Sequence, residues 1–425
     1  MLSSPEERKR LREEKAMQRA QKQAQYRKMM IRLGIAGVAL VLCGVLIFVL
    51  SKKNKQPDTT PSDAATLTTE STESATTAAT NPATTVIHYA AAGDLNINEL
   101  TVAAGGTNYV YTQAFQDVAH LLARADIASV NFEGNLYGEP YGSSASAPQS
   151  MATALQKAGV DLVQMANSFS INRGISGLAS SLDSIRSAGM EPLGAYATNE
   201  EFKQSKGYTI RTVQGVKMAF VAFTKGMDGM ALPPGSEDCV NVLYSDYDSV
   251  YQNINREKIL SILSAVEKEK PDVVIALLHW GSEFNNSIRS NQEKIVELLQ
   301  ANGVDAIIGT HSHYVQKMTF NQETGQFVAY SLGDFFSDAT RAGSEYSVIL
   351  DLEITKDNKT GKAKITNFSY TPIFTVNEEE KPLKILRIDQ AVKAYEENYL
   401  DTVSQETYSK MTYALERIEA RIKGE

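Results

Sequence analysis

DVVIALLHWGSEF (272–284) and DAIIGTHSHYVQ (305–316) decide the fold class. Each opens with a short continuous apolar run, which reads as a buried strand. Each then stops on histidine: His279 after VVIALL, and His311 and His313 after AIIGT. Working outward, VIHYAAA (86–92), DIASVNF (126–132), DLVQMA (161–166) and KMAFVAF (217–223) read as strands of the same kind. Residues 111–125, 175–189, 250–268 and 290–303 have helical spacing between them, and Gly189 and Gly303 stand where a helix would end. Strands alternating with helices predict an α/β fold. Later, residues 315–332 and 347–373 read as hairpins with Gly-containing turns, so the sheets are expected to be mixed. Residues 383–423 read as helical, and there is no internal repeat.

The residues that end these runs carry the chemistry. Asp94 follows VIHYAAAG and Glu133 follows IASVNF, while the chain has only five histidines, three of them at predicted strand ends. Ligands of open α/β sheets bind beyond the carboxyl ends of strands. Two carboxylates and three imidazoles gathered there suit Mn, Fe or Zn, since carboxylates supply charge and neutral imidazoles suit borderline metals. Each residue also has a plainer reading. Gly93-Asp94 is ordinary turn chemistry, Glu133 could cap a helix, and His279 beside Trp280 could be a hydrogen-bonded core histidine. His88 in mid-strand and His120 in mid-helix read as structural or surface residues.

Composition narrows the partners. The 425 residues are 43% hydrophobic and 22% charged, which is ordinary globular usage. Residues 1–32 hold ten Lys/Arg against four Glu, and Lys52, Lys53 and Lys55 follow, so the chain's −8 leaves −17 on residues 56–425. A body that acidic argues against nucleic acid, which needs a basic footprint. LGIAGVALVLCGVLIFVL (33–50) is eighteen residues without a charge, bounded by Arg32 and Lys52. It reads as an uncleaved transmembrane signal anchor, because no small-residue cleavage site follows it. The basic excess of residues 1–32 precedes the span, so that tail is expected in the cytoplasm and the main domain outside the cell membrane. Eleven of residues 56–85 are Thr and none is aromatic, so residues 51–85 read as a disordered stalk. Cys43 and Cys239 would lie in different compartments and cannot pair.

Six stretches stand out along the chain: AAGDLNI (91–97), ASVNFEGNL (128–136), QMANSFSINRGISGLASSLDSIRSAGMEPLGAYATNEEF (164–202), LLHWGSEF (277–284), IIGTHSHYVQ (307–316) and AYSLGDFF (329–336). In this order they resemble the motifs of the CapA-type capsule biosynthesis proteins, the poly-gamma-glutamate synthesis accessory proteins of the PgsA kind. The resemblance covers residues 86–375 and leaves 376–425 as a C-terminal helical segment. It implies a four-layer αββα sandwich of the calcineurin-like metallophosphatase type with a site for up to two divalent ions. By the same resemblance Asp94, Glu133, His279, His311 and His313 would be metal ligands. The implied partners are the membrane, through one N-terminal helix, and an anionic envelope polymer or its synthase complex.

One motif departs from the family pattern A-N-N-H-x-x-D-x-G. This chain reads Ala166-Asn167-Ser168-Phe169-Ser170-Ile171-Asn172-Arg173-Gly174. Ser168 stands where an Asn would offer an amide oxygen, Phe169 where a His would protonate the leaving group, and Asn172 where an Asp would orient that His. Asp334 stands where S-L-G-N-F is usual. Phe cannot donate a proton, and losing a general acid typically costs about 10²–10⁴-fold in rate. The expectation is a metal-binding protein with weak or no hydrolase activity; the alternative is an active two-metal phosphoesterase.

Overall fold

The structure is a computed structural model that describes residues 83–399 and 403–425. The basic tail, the 33–50 span and nearly all of the Thr-rich stalk lie outside the described residues. Among those described, no helix is long and apolar enough to cross a membrane.

Among the described residues, fourteen strands make two mixed sheets. In chain order they are β1 (Thr84–Asn96), β2 (Ile127–Glu133), β3 (Leu162–Gln164), β4 (Glu191–Leu193), β5 (Tyr208–Val213), β6 (Val216–Thr224), β7 (Val273–His279), β8 (Ala306–Thr310), β9 (Met318–Asn321), β10 (Gln326–Ala329), β11 (Asp334–Phe336), β12 (Tyr346–Asp357), β13 (Ala363–Val376) and β14 (Lys384–Arg387). The first sheet runs β14-β13-β12-β1-β2-β3-β4, with β11 pairing the far end of β1. The second runs β5-β6-β7-β8-β10-β9. Pairings within β1–β4 and within β6–β8 are parallel, while β9–β10 and β12–β13 are the antiparallel hairpins expected from the sequence.

Period-two alternation explains the layers. On β1, Ile87, Tyr89 and Ala91 join a central core with Met218, Phe220, Ile275, Leu277 and Ile308 of the second sheet. Their neighbours Ala90 and Ala92 face an outer core with helices Thr112–Ala123, Gln149–Lys157 and Gly174–Ser187. On β7, Val274, Ala276 and Leu278 face a third core with helices Arg256–Lys268 and Ser290–Gln300. Helix, sheet, sheet, helix is thus the layer order.

One expectation needs correction. Lys384–Arg387, inside the stretch read as helical, is the edge strand β14, paired antiparallel to β13. Four residues are too few to show a strand's alternation, and burial of Ile385 and Leu386 decides the matter. The helices that follow, Ile388–Glu396 and Gln405–Lys423, bury Ile388, Met411, Ala414, Ile418 and Ile422 in the central core rather than standing apart from it.

Candidate metal centre

The central layer changes chemistry at one end. Along β2 the inward positions run Ile127, Ser129, Asn131, Glu133; along β7 they run Val273, Ile275, Leu277, His279; along β8 they run Ala306, Ile308, Thr310. β7 and β8 are apolar on that face until their C-terminal ends, and β2 turns polar already at Ser129. β1 reaches the same place by an irregularity: its register against β2 shifts between Ala91 and Asp94. Ala90, Ala92 and Leu95 face the outer core, a spacing of two and then three, which leaves Asp94 on the inner side. The shift requires Gly93, since a Cβ there would lie 1.8 Å from the Gly333 carbonyl oxygen. His311 and His313 follow β8 with φ of 87° and 60°, left-handed conformations that a histidine adopts only when its surroundings impose them.

All five expected residues converge and all are buried. Glu133, His279 and His311 offer ligand atoms within 4.8 Å of one another, and so do Asp94, Glu133 and His313. Glu133 belongs to both groups. The two groups could each hold a metal ion, and two buried atoms speak for this. Glu133 Oε1 and His311 Nε2 have no hydrogen-bond partner, which is costly for buried polar atoms unless something else meets them. Glu133 Oε1 lies 3.1 Å from His279 Nε2, in contact but outside hydrogen-bond geometry.

Neighbouring side chains fix the ligand candidates. Asn131 Nδ2 donates to Asp94 Oδ1 at 2.6 Å and lies 3.2 Å from His279 Nδ1. Asn167 Nδ2 donates to Asn131 Oδ1 at 3.1 Å and to the Phe132 carbonyl at 2.7 Å. The His311 backbone N–H donates to Asp94 Oδ2 at 2.8 Å, and Asp334 Oδ1 meets His313 Nδ1 at 2.7 Å. Asp334 and Asn131 are site residues that sequence reasoning missed. Both stood inside quoted motifs, Asp334 as a departure and Asn131 two residues before Glu133, where strand periodicity puts it on the same face.

Electrostatics suit a cation. Burial, reinforced by Asp94, holds Glu133 well above the usual carboxylate range, and burial lifts Asp94 to about 6. Burial, with Lys225 and other imidazoles nearby, keeps His279 and His311 well below the usual imidazole value, so both are neutral and free to ligate. Burial alone would lower His313 too, but its pairing with Asp334 and the field of Glu133 and Asp94 lift it to about 10. Burial that disfavours the charged form of both acids is a cost that a divalent ion would offset.

The departing motif is also on the rim. Ser168 Oγ sits 3.1 Å from His279 Nε2. Phe169 is half-buried and packs against the outer core. Beside His313 the Phe284 ring stacks on the imidazole, with centroids 4.7 Å apart, and the Arg341 guanidinium lies 4.2 Å from the Phe284 ring centre. Together with Asn96, Asp334 and Ser337 they line a cleft of about 240 Å³. Tyr314, next to His313, is held from the last helix: the Arg421 guanidinium lies 4.7 Å from its ring and donates to the Gly343 carbonyl at 3.3 Å. His88 and His120 lie elsewhere: His88 pairs with Asp351 at 2.9 Å, and His120 is exposed.

Residues 88–339 match the model of the family described as bacterial capsule synthesis protein PGA_cap. The chain belongs to that family. The match spans every residue of the cluster. Among its relatives in this and kindred proteins, the capsule biosynthesis protein CapA of Bacillus anthracis is 27% identical over 267 residues, 60% of each chain. The PGA biosynthesis protein CapA of Bacillus subtilis (strain 168) is 24% identical over 262 residues, 59% of this chain and 63% of that one. The alignments thus span less than two thirds of either relative's length. Of solved structures, the calcineurin-like phosphoesterase YfkN from Bacillus subtilis overlaps at a TM-score of 0.44 and 16% identity, covering 79% of this chain and 99% of that one. The layers and strand order described above stand independently of that overlap.

Proposed function

We propose that this PGA_cap protein is a membrane-anchored, extracellular accessory protein of capsule or envelope-polymer synthesis that holds divalent metal and has weak or no hydrolase activity. The observation that carries the reading is a contrast within one site. Every ligand candidate is in place and two buried atoms await a partner, yet Phe169, which cannot move a proton, stands where the family resemblance expects the general acid. Asp94, Glu133 and His313 would hold one ion; Glu133, His279 and His311 would hold the other. Such ions act as Lewis acids toward phosphoryl and carboxyl oxygens. They would also give an anionic polymer such as poly-gamma-glutamate a local foothold on a body that is otherwise −17. Asn131 and Asp334 orient the ligands, and Asn167 orients Asn131. The apolar run at 33–50 and the names of the Bacillus relatives support the anchored setting and the polymer.

The test is metal content and turnover of the full chain, purified without chelator and supplied with Mn and Zn. Retained metal with aryl-phosphate hydrolysis at background is the expected result. The second reading, an active two-metal phosphoesterase on an envelope phosphate ester, is favoured by the sharing of Glu133 between the two ligand groups. Robust metal-dependent turnover that disappears in His279→Ala would establish it in place of the first.

A further inference from the structure

β6 ends at Thr224, and the next residue, Lys225, donates its backbone N–H to the His279 carbonyl at 2.7 Å. Its side chain turns away from the strand into a pocket of about 320 Å³ lined also by Tyr251, Gly281, Arg289, Ser290 and Gln292. Three features of this pocket point to one kind of occupant. The first is Gln292, which is 1% exposed. Its Oε1 accepts from the Arg289 backbone N–H at 2.9 Å, but its Nε2, a double donor, has no partner. An amide N–H₂ buried with nothing to donate to costs about 1–3 kcal/mol. The second is a pair of cations. Lys225 is half-buried and its Nζ meets only the Gly281 carbonyl, at 3.4 Å, with the Tyr251 ring centre 5.2 Å away. Neither Lys225 nor Arg289 makes an ion pair within 4.0 Å among the described residues. The third is the eleven-residue helix Ser290–Gln300, whose N-terminus opens on the pocket. The Gln292 and Glu293 N–H groups already donate to the Arg289 carbonyl, which leaves the Ser290 and Asn291 N–H groups, whose dipoles favour negative charge.

We propose that Lys225, Arg289, the Gln292 amide and the N-terminus of helix Ser290–Gln300 form a binding site for a single oxyanion, a phosphate or carboxylate group, beside the metal centre and separate from it. Every group named is a donor, and the one buried donor without a partner points to an acceptor rather than to a metal. Glu283, Asp228 and, from the metal centre, Glu133 act on Lys225 at longer range. They temper the charge, so the site suits one oxyanion and not a dense polyanion. The Gly281–Phe284 turn separates the two sites: Gly281 contributes to this pocket and Phe284 stacks on His313. A ligand with repeated acidic groups could therefore engage both. The oxyanion site does not depend on whether the metal centre turns over, because none of its residues is a ligand candidate.

The experiment is calorimetric titration of the full-length protein with inorganic phosphate, and separately with a γ-linked glutamate trimer, each with the metal present and after chelation. Gln292→Glu keeps the acceptor that holds the Arg289 N–H while replacing the free donor by a negative charge. Lys225→Met removes the buried cation. Binding of at least one ligand that survives chelation and weakens about tenfold or more in both variants is the expected result, with Lys203→Met on a distant exposed helix unchanged. Phosphate binding without trimer binding identifies a phosphate group as the occupant, and the reverse identifies a carboxylate. Should Gln292→Glu fail to fold by thermal melt, Lys225→Met decides alone. Two results would overturn the proposal: no heat from either ligand in the wild type at about 10 mM, a concentration well above a millimolar dissociation constant, or binding that vanishes on chelation and ignores both variants, which would assign the anion to the metals.

Discussion

The strand ends of β1, β2, β7 and β8 and the loop Asn167–Gly174 meet at the same cluster, through Asn131 and His279, and obey opposite rules. At the strand ends most of the polar groups are held by one another or by the backbone. Asp94 is clamped by the Asn131 amide and the His311 N–H, and two histidines are held in left-handed backbone. In the loop, only Asn167 and Ser168 reach that network, Asn167 through Asn131 and Phe132 and Ser168 through His279. Phe169 instead packs outward with the hydrophobic core. On the proposed reading, the groups that would hold an ion and the position that would move a proton sit on separate segments of chain, so that one can change without the other.

Removing ligands should break the comparison at its strong end. His311→Ala combined with His313→Ala should reduce metal retention, measured by elemental analysis, by more than the 10–100-fold that loss of an orienting neighbour typically costs. A double variant that holds its metal would place the ions elsewhere. Repairing the loop works at the weak end. Ser168→Asn, Phe169→His and Asn172→Asp together should raise aryl-phosphate turnover by about two orders of magnitude, the usual size of a general-acid contribution. These residues act as a unit, so single changes are expected to do little. Asn131→Ala should weaken metal affinity by about 10–100-fold without abolishing it, because it orients Asp94 and His279 and ligates nothing. An Asn131 variant as empty as the double histidine variant would make it a ligand.

The smallest effect is a control outside both regions. Glu378 accepts from the Ser404 N–H and the Thr407 hydroxyl at the start of the last helix and pairs with Lys381. Burial opposes its charge, but these donors outweigh burial and hold it down to about 2. A depressed carboxylate contributes stability that is present above its unfolded value near 4.5 and is lost as pH falls toward 2. The melting temperature should therefore fall below about pH 4 more steeply in the wild type than in Glu378→Gln. Metal content at neutral pH should be equal in the two.

The sequence made the strand ends legible because the apolar run and the residue that terminates it are adjacent in the chain. His279 had to follow VVIALL for the pattern to be seen at all. The same logic found both late hairpins. It missed β14, whose four residues acquire their strand character from β13. Asp334 read as a departure from a motif, since its pairing with His313 spans 21 residues and exists only after folding. Lys225 and Gln292 carried no local signal. Nothing near Gln292 in the chain distinguishes it from any other polar residue on an amphipathic helix, and only the folded pocket leaves its amide without a partner.

The hold of Arg421 on the Tyr314 ring and the Gly343 carbonyl has a consequence in time. A chain is made from its N-terminus, so Asp94 and Glu133 exist long before the helix that braces the histidine loop. During synthesis the early acids and the middle histidines can meet while the Tyr314 side still lacks its brace. The brace on Tyr314 therefore arrives only with Arg421 of helix Gln405–Lys423, more than a hundred residues after the histidines it stands beside.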